Sequence, residues 1–161
     1  MIKTYPGGAQ IVAKKLVTDE ALVSAGSSVI MGINQPANSF VEKIYLRVLE
    51  APLISSGNIM LEVGTESDDP DDFVTDASGS DNILDGGTTL PVNTVFDLTS
   101  ATGTSTFPSP DFATGDASAE TDTAPNTCIT EDRGLFLKFT TSTAVTTPGK
   151  FEITFVFRVF E

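Results

Sequence analysis

The chain has 161 residues and a net charge of −13, with 22 Asp and Glu against nine Lys and Arg. A domain of this length buries roughly 70% of its unfolded surface, and 40% hydrophobic residues place it among globular rather than disordered chains. With no His, no Trp and a single Cys, it can build no Ser–His or Cys–His machinery, no His-containing zinc site and no internal disulfide.

Taken in chain order, residues 1–9 (Met-Ile-Lys-Thr-Tyr-Pro-Gly-Gly-Ala) read as an N-terminal extension. They carry no apolar run resembling a signal peptide, so a soluble protein made in a cytoplasm is expected. Gln10–Val17 is a candidate strand, with a partly helical Gln10–Val23 as the alternative because Thr18-Asp19-Glu20-Ala21-Leu22 is an acceptable helix start. Ala21–Val41 is uncharged, but Asn34, Gln35, Pro36, Asn38 and its serines make it too polar for a membrane span. Within it, Ser28–Ile33 is a further strand candidate.

Period-two alternation is clearest later in the chain. Phe40–Leu49 places Phe40, Ile44, Leu46 and Val48 on one face, with Glu42 interrupting. Asn58–Val63 sets Ile59, Leu61 and Val63 against Met60 and Glu62, and Asn93–Leu98 is a weaker strand. Leu135–Thr141 puts Leu135, Leu137 and Phe139 on one row. The last run, Lys150–Phe160, puts Phe151, Ile153, Phe155, Phe157 and Val159 on one row and Val156 and Phe160 on the other. Large apolar groups on both faces predict an interior strand. Thr146-Thr147-Pro148-Gly149 between the final two runs predicts an antiparallel hairpin with a long loop.

Seven or eight short strands without long amphipathic helices predict an all-β, antiparallel β-sandwich of jelly-roll type. The expectation is one domain over 1–161, with residues 100–126 forming a long acidic, Ser/Thr-rich loop.

Charge is divided unevenly. From Leu61 to Asp132 there are sixteen acidic residues and no basic one, while both flanks are slightly positive. Such a balance argues against nucleic acid as a partner. The densest oxygen cluster is Asp68, Asp69, Asp71 and Asp72 around Pro70. It is the candidate hard-cation site, of Ca²⁺ type, although it matches no EF-hand spacing. A solvated acidic loop that keeps a β-protein soluble is the plainer reading. A glycosidase carboxylate pair wants aromatic platforms that a chain with two Tyr and no Trp supplies poorly. No phosphate-binding loop is present, and no catalytic residue is assigned. Cys128 is expected to be a small buried apolar residue.

Across nearly the whole chain the order of features resembles the small β-sandwich structural proteins of tailed bacteriophages, especially those of marine hosts. The resemblance rests on Pro36-Ala37-Asn38-Ser39-Phe40-Val41, the strand Ile44-Tyr45-Leu46-Arg47-Val48, Asn58-Ile59-Met60-Leu61-Glu62-Val63-Gly64-Thr65, the Asp-Asp-Pro-Asp-Asp-Phe stretch ending at Phe73, and Pro148-Gly149-Lys150-Phe151. It implies a non-enzymatic virion protein on the capsid surface. The type implied is a decoration or cement protein that binds the major capsid protein across subunit joints, as a homotrimer, with no nucleic-acid or membrane partner. A receptor- or glycan-binding domain of a tail fibre or knob is the alternative, and a soluble cellular binding module is a third. On the capsid reading, Gly64–Asp132 lies mainly outward or at the rim, because buried carboxylates without partners cost several kcal/mol each. The slightly basic flanks, with Lys3, Lys14 and Lys15, then supply the capsid contacts.

Overall fold

The computed structural model describes residues 9–17, 26–53, 58–68, 70, 73, 82–85, 91–98, 128–141, 147 and 149–160. Among them are eight strands: β1 (Ala9–Val17), β2 (Gly26–Gln35), β3 (Ser39–Glu50), β4 (Asn58–Gly64), β5 (Asn82–Asp85), β6 (Val95–Asp97), β7 (Arg133–Thr141) and β8 (Lys150–Val159). They form two antiparallel four-stranded sheets, in the orders β1-β8-β3-β6 and β2-β7-β4-β5. Each sheet interleaves strands from both halves of the chain, which is the wiring of a jelly-roll-like sandwich.

The two apolar rows face each other and make the core. Ile44, Leu46 and Val48 of β3 and Phe151, Ile153, Phe155 and Phe157 of β8 come from one sheet. Ile59, Leu61 and Val63 of β4 and Leu135, Leu137 and Phe139 of β7 come from the other. Phe139 stacks on Phe151 across the sandwich, with ring centroids 6.1 Å apart. As its composition predicts, β8 is interior, paired with β1 on one side and β3 on the other.

The predicted hairpin does not form. β7 pairs with β2 and β4, whereas β8 belongs to the opposite sheet. A hairpin would have laid both phenylalanine-rich rows on one face of one sheet. Crossing between sheets instead lets each row cover the other, which buries more apolar surface. The crossing is tied down by a bridge between Leu53 and Thr147 and by Gly149 at φ 75°. A Cβ on Gly149 would stand 2.7 Å from the Pro52 nitrogen.

Phe40 also departs from expectation. The β3–β8 register runs Val41↔Phe157 and then Lys43↔Val156, leaving Glu42 as the extra residue of a β-bulge. The bulge shifts the alternation by one, so Val41 joins the core and Phe40 turns outward to stack on Phe160 at 5.7 Å. Of Gln10–Val23, residues 10–17 are strand rather than helix, and the remainder lies outside the described residues. β5 was not anticipated, since Ile83-Leu84 between Asn82 and Asp85 is too short to show a period. Cys128 is exposed, not buried. It precedes the bridge between Ile129 and Ser39, at the rim of the sandwich rather than on a core row.

The corner from β2 to β3 is closed by polar contacts. Buried Gln35 donates from Nε2 to the Ser39 carbonyl at 3.0 Å and accepts from Arg133 Nε at 2.9 Å. Arg133 also lies over the Phe73 ring, 5.9 Å from its centroid. Asn38 takes φ 55°, the Ala37 N–H donates to Asp132 Oδ1 at 2.7 Å, and the Asn38 N–H donates to the Ile129 carbonyl at 2.7 Å. These bonds satisfy groups that would be costly to bury unpaired, and they hold the sandwich end in place.

Candidate docking face

The outer face of the β1-β8-β3-β6 sheet carries the largest concentration of paired charge among the described residues. Its rows follow from the register. Gln10 lies beside Arg158 and Phe40; Val12 beside Val156 and Lys43; Lys14 beside Thr154, Tyr45 and Asp97; and Glu152 beside Arg47 and Val95.

Glu42, placed by the bulge, links three strands. It accepts from Arg158 Nη2 of β8 at 2.5 Å and from Gln10 Nε2 of β1 at 2.6 Å. The Arg158 hydrogen bond, followed by that of Gln10, holds the Glu42 carboxyl below its ordinary pKa. Lys43 donates to Asp97 Oδ2 at 2.9 Å, and that bond raises the Lys43 pKa. Lys14 meets Glu152 at 3.0 Å and Lys150 meets Glu50 at 2.5 Å. Arg47 donates from Nη2 to Asn93 Oδ1 at 2.8 Å.

The face therefore holds five cations (Lys14, Lys43, Arg47, Lys150, Arg158) and four carboxylates (Glu42, Glu50, Asp97, Glu152), a balance of +1 on a chain of −13. Val12 at 58% exposure, Val95 at 56% and Val92 at 52% stand open on or beside it. Carboxylates already neutralised by neighbours lose less on desolvation than bare ones. A face of this kind suits docking on protein, and it offers no concentrated charge for a polyanion.

The residues singled out from sequence fare differently. Lys14 lies on this outer face, engaged with Glu152. Lys15, its neighbour, projects to the other side of the edge strand and is half-buried, so the two lysines do not form one patch. Lys3 lies outside the described residues. Asp68 is exposed just beyond β4, while Asp69, Asp71 and Asp72 lie outside the described residues. Among the described residues, no group of three or more acidic or Cys side chains converges on a cation position. The long loop at 100–126 is also outside them. Sequence reasoning missed Glu42, Arg47, Asn93 and Arg158. The one signal for them was the break in alternation at Glu42, which marks the bulge.

No protein-family model and no curated protein matches this chain. Among solved structures, it is similar to a chain of the cyanophage Pam1 capsid asymmetric unit, with a TM-score of 0.53 and 12% identity. The likeness covers 99% of this chain and 91% of that one. At that identity the two share a fold. The fold of this chain thus corresponds to nearly all of the other chain rather than to a module within it.

Proposed function

We propose that this chain is a non-enzymatic structural protein of a bacteriophage virion, a decoration or cement protein of the capsid surface. The observation that carries this reading is the end-to-end fold likeness to a chain of a cyanophage capsid asymmetric unit. The near-neutral outer face supports it, because a strongly acidic chain needs such a surface to bury against a shell. The protein binds the major capsid protein across subunit joints as a homotrimer at local three-fold positions, and stabilises the head by mass action. Lys3, Lys14 and Lys15 are contact candidates, and the acidic segment Gly64–Asp132 lies mainly outward or at the rim, apart from β6 and the turn before it, which belong to the docking face. Quantitative mass spectrometry of purified particles tests the reading. Tens to hundreds of copies located on the head are expected, whereas a copy number typical of a tail component would replace it with a fibre or knob role.

Asp68, Asp69, Asp71 and Asp72 are proposed as a Ca²⁺ site on the same protein. EDTA should then lower the melting temperature and added Ca²⁺ should restore it. A melt insensitive to EDTA would leave these carboxylates as solvated surface.

A further inference from the structure

Arg47 is the one cation of the outer face with no carboxylate in ion-pair contact among the described residues. Glu152, its neighbour in register, is engaged by Lys14. The Arg47 side chain is nonetheless held in place. Asn93, at φ 69°, accepts from Arg47 Nη2 at 2.8 Å. The turn bearing Asn93 is stitched to β3, with the Asn93 N–H donating to the Val48 carbonyl at 2.7 Å and the Val48 N–H donating to the Thr94 carbonyl at 3.0 Å. A guanidinium has five N–H donors in a planar fork, and Asn93 occupies one of them. Val95, more than half exposed, is the register partner of Arg47 on β6.

We infer that Arg47, preset by Asn93 and paired in register with Val95, anchors the docking face by donating to a carboxylate of the capsid shell protein. The inference rests on the proposed capsid role and names the contact within it. Charge complementarity selects the occupant. Every other ion on the face has its counter-ion within the chain, so the unmet demand is for one carboxylate on an otherwise charge-paired contact. Planar, two-pronged recognition of carboxylate is what arginine does best, and part of its rotamer freedom is already removed by Asn93. A phosphate polymer is disfavoured by the −13 charge of the chain. A second copy brings the same excess of negative charge and the same self-neutralised face.

The test is co-sedimentation of the full chain with phage heads assembled without it, alongside light scattering of the free protein and its melting curve. Arg47→Ala should weaken head binding at least about tenfold, as loss of a buried anchor does, and Arg47→Lys should not restore it. Glu131→Gln, at an exposed position just before β7 and outside the β1-β8-β3-β6 sheet, should stay within about threefold of wild type. Should Arg47→Ala melt far below wild type, Val95→Glu carries the same test, since it sets a carboxylate beside Arg47 and should also weaken binding. Wild-type binding by a folded Arg47→Ala variant overturns the inference and leaves the capsid role standing. A change in oligomeric state without loss of head binding overturns it in favour of a second copy. Failure of the wild-type chain to sediment with heads overturns the capsid role and this contact together.

Discussion

Glu42 reaches two neighbouring strands because a β-bulge supplies the residue that breaks the pleat, and Arg158 and Gln10 both lie within hydrogen-bond distance of it. Its pKa is lowered in the folded protein, so its contribution is fully present above the unfolded value near 4.5 and is lost as pH falls through the folded value. Glu42→Gln should remove that part of the acid sensitivity, visible as a flatter melting temperature between about pH 5 and pH 2, at a neutral-pH cost of about 1 kcal/mol or less. For Lys43 the sign reverses: its pKa is raised by Asp97, so its contribution persists below the ordinary value of 10.5 and fades as pH climbs through the folded one. Gly149 makes a sharper demand on residue type. At φ 75°, with Glu50 and Pro52 backbone atoms within 3.0 Å of any added Cβ, Gly149→Ala should cost about 2 kcal/mol or more in urea denaturation. A neutral result would mean that the crossing between β7 and β8 relaxes freely.

Among the elements, β8 holds the sandwich together. It is flanked by long ladders on both sides and contributes Phe151, Ile153, Phe155 and Phe157 to the core, all fully buried. Amides of Ile153–Phe157 should be among the slowest to exchange with solvent, whereas those of β6, three residues at a sheet edge, should exchange early. Phe155→Ala should cost about 3–5 kcal/mol by chemical denaturation. Rapid exchange across β8 would contradict its interior position. The two lateral sides of the sandwich also differ. One ends in the short strands β5 and β6, and the other in β1 and β2, which are nine and ten residues long. Lys15, on the inward side of β1, is a charge of the kind that discourages edge-to-edge pairing.

At the scale of the whole molecule, the division of charge is the dominant feature. All of the negative excess is carried by the stretch from Leu61 to Asp132, while the outer face of the β1-β8-β3-β6 sheet balances to +1 through ion pairs. A self-neutralised face gives shallow salt dependence. Head binding should therefore change by less than about tenfold between 0.05 and 0.5 M NaCl. A steeper loss would move the contact from this face to another part of the basic flanks.

From the sequence alone came the all-β class, the buried rows of β4, β7 and β8, the interior place of β8 and the split between acidic middle and basic flanks. Each depends on local periodicity or on a count along the chain. Tertiary structure decided which strands are neighbours, so it separated β7 from β8, turned Phe40 out and Val41 in, and exposed Cys128. It also created the charge-paired outer face, whose contacts join Gln10 to Glu42 and Lys14 to Glu152, residues 32 and 138 positions apart. Alternation tells a strand which side to bury. It carries no information about which distant strand lies alongside, because that choice is made by the apolar area two whole sheets can cover together.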